Sequence, residues 1–186
     1  MARLYTKNGD NGETFLLFGK KVSKLDARVE CYGAIDECIS NLGAAYSLSS
    51  ENKDKEISEI IIKLQRKLFI ISSEIACPTE KYDELKKKYN YLTEEMILEI
   101  EQIIDKYQSI TPKINYFVLP GGSLLSSFID IARTSCRKSE RLCVKVKDLK
   151  LLNNKNILIY LNRLSDLLFI IARYIDRDSE YLRATE

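Results

Sequence analysis

The stretch from Ser123 to Val146, SLLSSFIDIARTSCRKSERLCVKV, decides how the chain is read. Leu125, Phe128, Ala132, Ser135, Ser139, Leu142 and Val146 recur at steps of three and four. That is the period of one face of an α-helix. Ser126, Asp130, Arg133, Arg137, Glu140 and Arg141 share a narrow arc on the opposite side. Pro120-Gly121-Gly122 forms a tight turn ahead of the helix, which starts near Ser123.

Four other segments carry the same periodicity. Asp26 to Leu48 places Val29, Tyr32, Ile35, Ile39, Leu42 and Tyr46 on one stripe. Asn52 to Ala76 does so with Ile57, Ile61, Leu64, Leu68, Ile71 and Ile75, and Pro78 stops it. The third begins after Thr93, an N-cap residue type followed by Glu94 and Glu95, and carries Met96, Ile100, Ile103, Ile104 and Tyr107 up to Pro112. The last runs from Lys155 to Arg177 through Ile157, Leu161, Leu164, Leu168, Ile171 and Ile175. Lys81 to Lys88 reads as an exposed charged connector. Stripes of this kind are the seams of long, nearly antiparallel helices. The expected fold is therefore all-α, a five-helix bundle over residues 26–177 preceded by an irregular segment at 1–24, in one domain of 186 residues.

Composition narrows the function. The net charge of +2 and pI near 8.2 give no general attraction to nucleic acid or to a membrane surface. No secretory signal or bilayer-length apolar run is visible, so the cytoplasm is the expected compartment. The chain has no His, which excludes an imidazole base. Cys31 and Cys38 lie seven apart, as do Cys136 and Cys143, without zinc-ligand spacing. The five cysteines read as small core residues.

Two features remain that a plain bundle does not need. Arg133, Arg137 and Arg141 are four apart, so three guanidiniums stack along one helix face. Like charges at that spacing repel by a few tenths of a kcal/mol per pair. Asp130 and Glu140 offset part of this, and a polyphosphate would offset the rest through Arg forks. A solvated, salt-bridged face would also account for the arc. The second feature is the leader Tyr5-Thr6-Lys7-Asn8-Gly9-Asp10-Asn11-Gly12-Glu13-Thr14. Its glycines allow close backbone approach, and successive N–H groups then form an anion-binding concavity. It is not a Walker A loop, and a polar turn would use the same residues. Asn162, Asp166 and Arg173 form a polar stripe on the last helix. Asp36, at the edge of the first helix's apolar stripe, would seek an arginine of the fourth helix, or lie exposed at the boundary. Phe117, in the extended Phe117-Val118-Leu119, suits a core anchor or a pocket wall.

In this order, the pieces resemble the PduO-type ATP:cob(I)alamin (corrinoid) adenosyltransferases. The resemblance rests on Tyr5 to Thr14, Tyr32-Gly33-Ala34-Ile35-Asp36-Glu37, Phe117 to Gly122, Ala132 to Arg141, Leu161 to Asp166 and Ala172-Arg173-Tyr174, and so covers nearly the whole chain. It implies transfer of the 5′-deoxyadenosyl group of ATP to reduced cob(I)alamin, with cob(II)alamin bound before reduction by a separate reductase. It also implies a homotrimer with ATP at subunit interfaces and Mg²⁺ carried with ATP. By the same resemblance Thr6, Lys7, Asn8, Gly9, Thr14 and Lys24 wrap the triphosphate. Arg137, Lys138, Glu140, Arg141 and Asn162 complete the ATP site. Asp36 and Arg133 match a salt-bridged pair that shapes the active site, and Phe117 matches the aromatic residue that displaces cobalamin's lower ligand. Asn8 and Lys138 depart from the family's usual Thr and Arg. An ATP- or corrinoid-sensing bundle without turnover, and a structural bundle docking an acidic partner, are the alternatives. Near-neutral charge and few aromatics beside the arginines argue against nucleic acid.

Overall fold

A computed structural model describes residues 5, 7, 9–51 and 54–185. Among them the helices are α1 (Ala27–Glu51), α2 (Lys55–Ile75), α3 (Tyr82–Lys88), α4 (Glu94–Ile110), α5 (Leu124–Asp148) and α6 (Asn156–Ile175). The five long ones are those expected, and the structure is a helical bundle. The connector at 81–88 differs from its sequence reading. It coils into the short α3 and buries Leu85, because one apolar side chain among its charges is enough to seat a turn against the bundle.

The helices start and stop for local reasons. Asp54 caps α2 by accepting from Ile57 N at 3.2 Å. The Ser123 hydroxyl accepts from Ser126 N at 3.1 Å, and the Ser126 hydroxyl from Ser123 N at 3.0 Å, a reciprocal cap on α5. Asp26 accepts from Arg28 N at 2.9 Å as α1 begins. Thr93 occupies the N-cap of α4 without a side-chain cap bond.

Helix α5 lies at the centre. It packs along α1 on one side and α6 on the other, while α2 lies on α1 and α4 on α6. All five cysteines are buried and unpaired. Cys38 Sγ lies 3.3 Å from Ala132 O, and Cys136 Sγ 3.3 Å from Leu161 O. Small residues at these contacts let backbones approach. The α1 core runs through Cys31, Ala34, Ile35, Cys38, Leu42, Ala45 and Ser49. The expected stripe ended on Tyr46, which is exposed. Small residues, not the large aromatic, mark the face that α5 can reach.

One end of the bundle is tied by Glu74. Its buried carboxylate accepts from Tyr82 Oη at 2.7 Å, Leu92 N at 2.6 Å and Asn154 Nδ2 at 3.0 Å, joining α2 to α3 and to two connectors. Burial pushes this carboxyl above its ordinary value of 4.5, and the three donors oppose the shift. A raised native value means the folded chain holds the proton more tightly than the unfolded chain. The contribution is thus fully present below 4.5 and is lost as pH rises through the native value. Glu74→Gln should cost about 1–3 kcal/mol in urea unfolding, because one donor is left facing an amide N–H. The cost should be larger near pH 4 than near pH 8. A gap that widens toward pH 8 would show that the ionised form is the stabilising one.

Candidate active site

The leader is more regular than its sequence suggests. Strands β1 (Glu13–Phe15) and β2 (Lys21–Ser23) pair antiparallel, with Thr14 opposite Val22. Ahead of them, Asp10 N donates to Lys7 O and Gly12 N to Gly9 O, both at 3.3 Å, with positive φ at Lys7 (62°) and Gly12 (77°). These turns curl the backbone into the concave form that suits an anion. Lys24 N donates to Gly12 O at 2.8 Å, so the lysine that follows the hairpin returns to the loop. A Cβ on Gly9 would lie 3.3 Å from Lys24 Nζ. Lys7, Gly9, Thr14 and Lys24 are thus brought into one hairpin unit. Thr6 and Asn8 lie outside the described residues. The unit docks at the end of α2, where Leu17 N donates to Ala76 O at 3.0 Å.

The arginine face splits in two. Arg137 and Arg141 are exposed, and Arg141 Nη1 donates to Arg137 O at 3.2 Å. Glu140 does not pair with either. It accepts from Asn162 Nδ2 at 3.2 Å. Asn162 Oδ1 in turn accepts from Arg163, whose Nε donates to Glu101 at 2.8 Å. This relay from α4 through α6 to α5 fixes the Asn162 amide. Lys138 pairs with Glu37 of α1 at 2.8 Å. Among the described residues neither Arg137 nor Arg141 has a carboxylate partner.

Toward the start of α5 the expected polar arc is partly a buried one. Ser126 and Asp130 are buried, as is Arg173, which the sequence placed on a polar stripe of α6. The reason is mutual neutralisation. Asp130 Oδ2 accepts from Arg173 Nη2 at 2.5 Å, and Oδ1 from Arg133 Nε at 3.0 Å. Arg133 therefore pairs with Asp130 of its own helix. Asp36 is exposed, and no Asp36–Arg133 pair is formed within the chain.

Phe117 is 82% exposed, so it is no core anchor. Its backbone is held by the C-terminal residues, a contact that sequence reading missed. Ala184 N donates to Phe117 O and Leu119 N to Leu182 O, both at 2.8 Å, around an antiparallel bridge between Val118 and Arg183. Nothing periodic in residues 181–185 signalled this pairing. A cleft of about 250 Å³ beside it is lined by Pro120, Gly121, Asp130, Ile131 and Arg133. A larger groove of about 620 Å³ between α2 and α4 contains none of the candidate site residues.

A family profile described as cobalamin adenosyltransferase matches residues 4–175. The chain belongs to that family. It is 38% identical to a corrinoid adenosyltransferase of Bacillus subtilis, over 98% of this chain and 93% of the relative. It is 36% identical to one of Citrobacter freundii, over 93% and 94%. Among solved structures, a phenylalanine-to-alanine variant of the PduO-type ATP:corrinoid adenosyltransferase of Lactobacillus reuteri, complexed with cobalamin and ATP, superposes with a TM-score of 0.88. It is 31% identical and covers 99% of this chain and 100% of that one. An arginine-to-lysine variant of the same enzyme complexed with ATP gives 0.86 at 31% identity, over 97% and 99%. Family membership makes this chain an enzyme of the corrinoid adenosyltransferase class.

The turn ahead of α5 offers a direct check on the geometry. A Cβ at Gly122 would collide with the carboxylate of Asp176, so a larger residue there requires that buried side chain to shift. Gly122→Ala should lower unfolding stability by about 1–3 kcal/mol in urea titration. An unchanged midpoint would show that Asp176 swings aside freely.

Proposed function

We propose that this chain transfers the 5′-deoxyadenosyl group of ATP to the cobalt of reduced cob(I)alamin, and that the residues assembled above grip the triphosphate as it leaves. The observation that carries this reading is the unpaired state of Arg137 and Arg141. Neighbouring acids are engaged elsewhere, Glu140 by Asn162 and Asp130 by Arg173 and Arg133. Two adjacent guanidiniums without a counter-charge suit a polyanion.

The electron balance needs no protein base. The cobalt(I) electron pair attacks C5′ of the ribose, the Co–C5′ bond forms, and the C5′–O5′ bond breaks. Triphosphate leaves with that pair, and cobalt becomes formally cobalt(III). A chain without His is compatible with this displacement. The protein's tasks are positioning and stabilisation of the leaving group's charge. Lys7, Lys24, Arg137 and Arg141 supply that charge, while Thr6, Asn8, Gly9 and Thr14 wrap the phosphates and Lys138, Glu140 and Asn162 line the site. Mg²⁺ would be brought by the triphosphate, whose oxygens are hard ligands of the kind it prefers. When bound, it neutralises phosphate charge.

The half-sites support an oligomer. Lys145 pairs with Glu30 at 3.0 Å and Lys138 with Glu37 at 2.8 Å, so α1 and α5 run antiparallel with the leader at the α5 C-terminal end. Arg133 lies eight residues before Arg141, or about 12 Å along the helix axis. Phe117 lies beyond the other end of α5. Among the described residues no hydrogen bond or ion pair joins residues 7–24 to the arginine face. A homotrimer with ATP at subunit interfaces would join one subunit's leader to another's arginines. It would also give the exposed Asp36 access to a neighbouring Arg133. A methyl group added at Gly33, one turn from Asp36, would meet nothing within 4 Å, so that face of α1 is open to a partner.

Phe117 is exposed on an extended segment, and in this reading it displaces cobalamin's lower ligand and eases reduction of cob(II)alamin by a separate reductase. No described helix is long and apolar enough to cross a membrane. The cytoplasm is the compartment proposed for the enzyme.

Arg137→Ala should lose at least about ten-fold in kcat/KM for ATP while remaining folded by circular dichroism. Near wild-type activity would remove this arginine from the mechanism. Phe117→Ala should still bind ATP by calorimetry but fail to give the visible spectrum of four-coordinate cob(II)alamin. The same spectrum from both proteins would exclude ligand displacement by this ring.

A further inference from the structure

Arg133 enters the site through one edge only. Its Nε donates to Asp130 Oδ1 at 3.0 Å, and among the described residues Nη1 and Nη2 donate to no protein acceptor. Arg133 lines a cleft together with Pro120, Gly121, Asp130, Ile131 and Thr134.

The anchor is itself held. The side chains of Asp130 and Arg173 are 5% and 2% exposed, against 24% for Arg133. Arg173 Nη2 lies 2.5 Å from Asp130 Oδ2, and its guanidinium sits 5.6 Å from the Phe169 ring centre. Tyr181 Oη donates to the Arg173 carbonyl at 2.7 Å, tying the same turn of α6 to the C-terminal residues that hold Phe117. One carboxylate between two guanidiniums leaves a single net positive charge. Since Arg173 is enclosed, that charge is expressed at the Arg133 fork. Asp130 borders that cleft and Arg173 is enclosed behind it, and the two together hold Arg133 by its Nε edge.

We propose that Asp130 is a positioning residue for adenosyl transfer, orienting Arg133 through its Nε edge, with Arg173 as the buried counter-charge that holds Asp130 in place. This rests on Arg133 belonging to the active site. A guanidinium fixed before its anionic partner arrives loses less rotamer freedom on meeting it. The partner suited to a free fork is a carboxylate or phosphate taken bidentately. The triphosphate is gripped elsewhere, by Arg137, Arg141 and the lysines, so disturbing the anchor should act on turnover more than on ATP capture.

The test compares Asp130→Asn/Arg173→Met with Arg173→Lys and Arg133→Ala in the cobalamin assay. The double substitution removes both buried charges together, which avoids stranding one of them. Its kcat should fall at least about ten-fold with KM for ATP within about two-fold, whereas Arg173→Lys should recover most of that loss. Wild-type kcat in the double variant, or equal losses in kcat and in ATP affinity, overturns the proposal. Wild-type activity in Arg133→Ala sinks the functional reading instead. A readout independent of activity is the Arg133 Nε–H signal in nitrogen-15 NMR. It should exchange slowly with solvent in the wild-type protein. Exchange as fast as in a free arginine overturns the anchor even if the double variant does not fold.

Discussion

Helix α5 must lie against two helices at once, and that constraint organises the rest of the molecule. Ala132, Ser135, Cys136, Ser139 and Cys143 give it small buried side chains where α1 and α6 approach. A larger residue at any of them would push one neighbour away. With both flanks occupied, α5 has one arc left for solvent, and that arc carries Arg137, Lys138 and Arg141. The arginine face is what close packing leaves uncovered.

Charge then divides that face into a fixed part and an available part. Asp130 is committed to Arg173 and Arg133, Glu140 to Asn162, and Glu37 to Lys138. These pairings engage nearby acids, and among the described residues Arg137 and Arg141 have no carboxylate partner. At the surface such pairs contribute little stability. Their effect is to decide which cations remain free for a ligand. The buried Asp130–Arg173 pair differs, because breaking one partner strands the other in the core. The two ends of α5 are thereby given different characters, a fixed one near Phe117 and an open one nearer the leader.

Much of the bundle was legible in the sequence because amphipathic period is a local property. Every expected apolar position of α2 is buried, and Pro78 does fall just beyond its end. The misreadings arose where burial and polarity disagree. Tyr46 sat on the expected stripe yet faces solvent, while Ser49, polar, is fully buried and bonds to Ser58 at 2.8 Å. Ser126, Asp130 and Arg173 read as surface residues because their types are usually exposed. Asp130 and Arg173 are buried as an ion pair, although Arg173 Nε finds no partner among the described residues, and Ser126 caps the helix. The leader's glycines announced a turn, but three-residue strands are too short to show alternation.

The sequence by itself determined the five long helices, the absence of imidazole chemistry and, through motifs in register, the family to which the chain belongs. Those follow from local period, composition and order, none of which needs a third dimension. Only the tertiary structure decided which arginines are free, that Arg133 answers to Asp130 within the chain, and that the C-terminal residues hold Phe117. Each of these joins residues distant in sequence, or chooses among several acids within reach of one cation. Such choices depend on which groups are enclosed together, and enclosure is a property of the packed helices.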